Sequence, residues 1–137
     1  MKPILIDTNA YAAFKRGDPE AVSIIQRASM IAFNTIVLGE LFGGFAMGSR
    51  NEMNRQELAR FLDSSRVVVL PLDRVTAEHY SAGYSALKRV ATPIPTNDMW
   101  IAASAVQHGL ALFSYDRHFR VVVGLRTGAS LAELEAE

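Results

Sequence analysis

The sequence predicts an α/β fold: a three-layer α/β/α sandwich built on a mostly parallel sheet of about five strands. Three observations predict it. Short apolar runs such as Ile4-Leu5-Ile6 show no polar alternation, as expected of strands buried on both faces. These runs alternate with longer segments of helical periodicity, the pattern of βαβ units. The first run passes directly into Asp7-Thr8-Asn9, so a carboxylate stands at the carboxyl end of a strand, where open α/β sheets bind their ligands. Right-handed crossovers then place helices on both faces.

Each element has its own signal. Thr8 and Asn9 are suited to cap a short helix from about Asn9 to Phe14. Gly17-Asp18-Pro19 breaks the chain and opens a second helix to about Ala28, with Pro19 in its first turn. Met30 to Phe33 reads as the second strand. Asn34 or Thr35 caps the next helix, which carries Ile36, Val37, Glu40, Leu41 and Gly44 on one face and stops at Gly48. Another helix spans about Asn51 to Ser64, with Leu58, Phe61 and Leu62 inward and charges such as Glu57 and Arg60 on a solvated face.

Val67 to Leu70 is the third strand, closed by Pro71. Asp73 is placed to cap a long helix to about Val90 with Tyr80, Gly83, Tyr84 and Leu87 as its stripe. A loop stiffened by Pro93 and Pro95 leads to a helix from Asn97 to His108, stopped by Gly109. Ala111 to Phe113 is the fourth strand and Val121 to Val123 the fifth. Ser130 and Glu133 have capping-box spacing before a short acidic tail. No repeat, low-complexity tract or Gly/Ser linker divides the chain, so residues 1–137 read as one domain.

Half the residues are hydrophobic, which excludes a disordered chain. The chain has no cysteine, hence no disulfide and no thiolate zinc site, in keeping with a reducing, cytoplasmic setting. No apolar run is long enough to span a bilayer, and the amino end lacks the form of a signal peptide. The 14 basic and 14 acidic residues balance. If four acids belong to one site, 14 bases face 10 acids elsewhere, a net of +4, so overall charge does not decide for or against a nucleic-acid partner.

Four acids stand where a core needs none. Asp7 ends the first strand and Asp116 follows the fourth; parallel central strands would bring both to one crevice. Glu40 interrupts an apolar helical face, where a carboxylate is costly unless paired or bound to a cation. Asp98 lies in the first turn of its helix, where the dipole alone is worth about 0.3–1 kcal/mol, yet it shares a face with Ile101, Ala102 and Ala105. Converging carboxylates repel one another and raise each other's pKa unless a cation neutralises them. All-oxygen donors select Mg2+ or Mn2+ over zinc. Two such ions about 3.5–4 Å apart suit in-line attack on a phosphodiester.

These residues resemble a known family. Ile6-Asp7-Thr8-Asn9, Glu40 on an early helix, Asn97-Asp98-Met99-Trp100-Ile101-Ala102-Ala103, and Ser114-Tyr115-Asp116 followed by His118-Phe119 are similar to the motifs of PIN-domain ribonucleases. Length and order of elements resemble the VapC-like toxins of prokaryotic toxin–antitoxin pairs. The resemblance implies an acidic quartet of Asp7, Glu40, Asp98 and Asp116 holding Mg2+ or Mn2+, with Thr8 and Ser114 in support. It further implies RNA cleavage to 5′-phosphate and 3′-hydroxyl ends, a homodimer, and a cognate antitoxin whose tail enters the active-site groove.

Outside the quartet, Arg117, His118 and Arg120 are candidates for RNA phosphate contacts, against the alternative of a solvated turn. Phe42 and Phe45, around Gly43-Gly44, are candidates to line the antitoxin groove or to pack in the core. His79 and His108 read as helix-surface residues, and Trp100 as core rather than a base-stacking platform. Two other classes compete with the nuclease. A non-catalytic PIN-fold module would bind RNA or protein without hydrolysis, which an intact quartet argues against. An aspartyl-phosphate phosphotransferase or phosphatase would need a late lysine, but the last is Lys88, and its phosphatase form wants an acid where Asn9 stands.

Overall fold

The computed structural model describes residues 1–136. Glu137, the last residue of the expected domain and of its acidic tail, lies outside the described residues. Five parallel strands form one sheet in the order β3-β2-β1-β4-β5. They are β1 (Ile4–Ile6), β2 (Ile31–Asn34), β3 (Val67–Leu70), β4 (Ala111–Phe113) and β5 (Thr127–Gly128). Between them run α1 (Thr8–Lys15), α2 (Pro19–Arg27), α3 (Thr35–Met47), α4 (Asn51–Leu62), α5 (Arg74–Arg89) and α6 (Thr96–His108), and α7 (Leu131–Glu135) closes the chain. The α/β/α architecture is the one the sequence predicts.

The strand order explains the layering and the site together. From β1 the chain moves outward through β2 to β3, then returns across the sheet to β4 on the other side of β1. With right-handed crossovers, the reversal sets α5 and α6 on the face opposite the earlier helices. It also creates a switch point between β1 and β4, where Ile6 lies beside Phe113. Whatever follows those two residues faces a shared crevice.

The core is what the unalternating runs require. All residues of β1, β2 and β4 are buried, and Tyr11, Phe14, Phe33 and Phe61 form tilted and edge-to-face contacts with centroids 5.4 to 6.3 Å apart. The expected caps are present at Asn34, Asp73 and Ser130, Asp18 also caps α2 just before Pro19, and Gly109 ends α6 with φ 65°. α1 differs: its cap is Asp7, whose carboxylate accepts from the Thr8 backbone N–H, and not Thr8 or Asn9.

Three further expectations are corrected. The fifth strand is not Val121 to Val123. Arg117–Val121 forms a 3-10 turn, Val121 and Val123 are 41% and 83% exposed, and the strand that pairs with β4 is Thr127–Gly128. Buried Phe119 anchors the turn, and Gly124 at φ 81° redirects the chain beyond it. On α5, Tyr84 is exposed while Thr76 and Leu87 are the buried positions. On α3, Val37 and Leu41 are buried, but Gly44 faces solvent. Among the described residues no helix is long and apolar enough to cross a membrane.

Candidate active site

The site lies at the carboxyl edge of β1 and β4. Asp7 is only 3% exposed. Its Oδ1 accepts from the Thr8 N–H at 2.8 Å and its Oδ2 from the Ser114 hydroxyl at 2.8 Å. The parallel pairing of β1 and β4 makes the second bond possible, because Ile6 and Phe113 stand in register. The Ser114 oxygen in turn accepts the Asp116 N–H at 3.1 Å. Asn9 ties the same two segments, its Oδ1 accepting the Tyr115 N–H at 3.1 Å.

Glu40 reaches the site from α3. Asn34 caps that helix through the Val37 N–H, which fixes the start of the helix at the sheet edge. The Thr8 hydroxyl donates to Glu40 Oε1 at 2.7 Å, and the Asn97 side-chain amide donates to Oε2 at 3.4 Å. Glu40 is therefore held by α1 and α6, and among the described residues no arginine pairs with it.

Asp98, in the first turn of α6, accepts from His118 Nε2 at 2.7 Å. His118 Nδ1 lies 3.7 Å from Asp116 Oδ1. Ligand atoms of Asp98, Asp116 and His118 all fall within 4.8 Å of one another. Asp98 is largely buried, whereas the Asp116 side chain is 48% exposed. The site thus has a deep acid, Asp7, and a rim acid, Asp116.

Electrostatics links the acids. Burial pushes the Asp7 carboxyl up to about 6; the Ser114 and Thr8 hydrogen bonds oppose this, while Asp98 and Glu40 add to it. Burial also raises Asp98, against the His118 hydrogen bond, with Glu40 and Asp116 again adding to the rise. Without a cation, these residues hold negative charge against both desolvation and mutual repulsion. A donor set dominated by carboxylates, with His118 beside Asp98 and Asp116, fits a hard divalent ion.

The other candidates divide. Arg120 is drawn away, donating to Glu133 at 3.1 Å, while Arg117 is exposed. His118 points into the acid cluster. Trp100 stacks on Tyr80 with centroids 4.2 Å apart and is half-buried. Asn9 and Asn97 belong to the recognised motifs, but their holding roles were not legible, because they depend on how separate segments meet.

Residues 4–125 match the PIN domain family. The chain is 31% identical over 86 residues to Ribonuclease VapC4 of Mycobacterium tuberculosis, spanning 63% of this chain and 66% of that relative. It is 32% identical over 130 residues to Ribonuclease VapC2 of Haemophilus influenzae, spanning 93% and 97% of the two chains. The fold superposes on a crystal structure of DNA-bound VapBC from Salmonella typhimurium with a TM-score of 0.78, 26% identity, and coverage of 93% of this chain and 98% of that one. The chain belongs to the PIN-domain family, on its VapC-like branch.

Proposed function

We propose that this chain is a divalent-metal-dependent endoribonuclease, the toxin of a toxin–antitoxin pair, acting in the cytoplasm as a homodimer held in check by a cognate antitoxin. The observation that carries the reading is a cluster of Asp98, Asp116 and His118 within 4.8 Å of one another, electrostatically coupled to Asp7 and Glu40 at the sheet's switch point. Similarity to proteins named ribonucleases supports RNA as the substrate, and similarity to VapBC structures supports the partner.

Asp7, Asp98, Asp116 and Glu40 would hold Mg2+ or Mn2+. When bound, the ion would neutralise the cluster, lower the pKa of a water, and stabilise charge on the phosphodiester oxygens. The chain's own contribution is orientation. Ser114 and the Thr8 N–H each occupy one Asp7 oxygen and leave each with a further lone pair. Thr8 and Asn97 fix Glu40, which is placed to orient a water or bind through one. His118 holds one oxygen of Asp98. Exposed Arg117 remains available to a substrate phosphate.

The test is cleavage of RNA by the purified chain with Mg2+ or Mn2+, with chelator, and with Asp7→Asn. Metal-dependent cuts leaving 5′-phosphates are expected, absent in the variant. An Asp7→Asn protein cutting at the parent's rate rejects the assignment.

A further inference from the structure

A groove lies between α1, α3 and α4, near the Thr8–Glu40 hydrogen bond. Thr8, Ala12 and Arg16 recur at four-residue spacing and share one side of α1. Leu41 and Phe45 do the same on α3, one residue past Glu40. Ala12, Arg16, Leu41 and Phe45 line a groove of about 360 Å³, closed by Met53 and Asn54 of α4. By helical rise, Arg16 lies about 12 Å from Thr8 along α1. None of the four acids lines the groove; it lies beside the acid site, with Ala12 one helical turn from Thr8 and Leu41 next in sequence to Glu40.

Its charge is opposite to that of the site. Lys15, Arg16 and Arg50 line it against one acid, Glu57, and Glu57 is already taken by Lys15 at 2.7 Å. Arg16 and Arg50 are exposed and, among the described residues, have no carboxylate within ion-pair distance. Between them lies an apolar floor with the half-buried ring of Phe45.

We propose that this groove seats the single-stranded RNA segment next to the bond being cut, with Arg16 and Arg50 on its phosphates and Phe45 under a base. The proposal rests on the ribonuclease reading of the acid site. A strand with one phosphate among four carboxylates meets repulsion at its neighbouring phosphates and needs bases nearby to hold it. A cationic rim over an aromatic floor binds single strands with little sequence preference. The excess of free positive charge, one helical turn from the Thr8–Glu40 contact, favours a polyanionic substrate over a protein segment.

The test measures binding of a labelled single-stranded RNA oligonucleotide to the full chain carrying D7N, by fluorescence anisotropy across a salt series in Mg2+. Adding R16A and R50A together is expected to make the salt dependence of log Kd shallower by about 1.4, for two lost phosphate contacts. F45A is expected to weaken binding about tenfold and F45Y to retain it, because stacking survives. Melting curves confirm that the exposed arginine variants stay folded. An unchanged slope overturns the proposal and leaves the groove to a protein partner; so does a D7N chain that binds no RNA. Cleavage by the parent chain is scored separately. Metal-dependent cleavage with an unchanged slope overturns the RNA path alone, whereas no cleavage overturns the ribonuclease reading itself.

Discussion

Ser114 donates its hydroxyl hydrogen to Asp7 across 107 positions of sequence, at 2.8 Å, while its oxygen accepts the Asp116 N–H at 3.1 Å. One hydroxyl thus couples the deepest acid of the site to the backbone that carries the most exposed one. Of the contacts that lower the Asp7 pKa, it is the largest.

Ser114→Ala removes both contacts without changing the fold around it, at a stability cost of about 1 kcal/mol. The Asp7 carboxyl then rises further and its orientation loosens. Loss of a partner that orients a metal ligand typically weakens metal binding by about 10–100-fold. Calorimetric Mn2+ titration and the Mn2+ concentration for half-maximal cleavage should both move that way. If neither moves, the hydroxyl does not serve the site.

Asp7→Asn is expected to abolish cleavage and to stabilise the metal-free chain at neutral pH. The folded carboxyl titrates near 6 against an ordinary value of 3.8. The folded state therefore binds the extra proton between those values, and its stability falls as pH rises through that window. Above pH 6 the full cost is present, about 2–3 kcal/mol at 1.36 kcal/mol per unit, and an uncharged Asn does not bear it. Urea unfolding in chelator should show the variant more stable than the parent at pH 7.5 and the difference closing near pH 4. Saturating Mn2+ should restore the parent selectively. A difference that does not change with pH contradicts the burial account.

His118 is expected to act on the metal rather than on RNA affinity. Its Nε2 holds Asp98 at 2.7 Å and its ring stands between Asp98 and Asp116. His118→Ala should release the Asp98 oxygen and raise the metal requirement by about tenfold or more. Binding of RNA to the metal-free chain should change little. The reverse pattern, an unchanged metal requirement with weakened RNA binding, would return His118 to the role of a phosphate contact.

The four acids were legible because each violates a local rule. Glu40 breaks an apolar stripe, Asp98 sits on an inward face, and Asp7 and Asp116 close apolar runs. That Asp7 and Asp116 follow neighbouring strand ends was legible once β1 and β4 were read as parallel neighbours. The inward turn of His118 was not, because it depends on the 3-10 turn over Arg117–Val121. That same turn defeated the reading of the last strand. Three consecutive valines carry the β-branched signal of a strand, yet only Val122 turns inward. The strand that does form is a Thr–Gly pair, with neither apolar run nor alternation to mark it. Its place is set by pairing with Leu112 and Phe113 and by α7, which no local pattern reports.

Gly128 shows what holds that strand in place. A Cβ built there would collide with Cβ of Glu133 and approach its Cδ. Glu133 cannot move aside freely: its carboxylate accepts from the Ala129 N–H at 3.1 Å and from the Ser130 hydroxyl at 3.2 Å, and it pairs with Arg120. Gly128→Ala should therefore displace the start of α7 and the edge of the sheet, at about 1–3 kcal/mol, the usual cost of forcing extra volume into a packed site. Because the Ser114 backbone N–H donates to the Gly128 carbonyl at 3.0 Å, the strain reaches the strand end that carries the site. Urea unfolding should show the loss of stability, and hydrogen exchange should show faster exchange at the Ser114 amide. A variant with parental stability and an unchanged Ser114 amide would mean that α7 yields without disturbing β5.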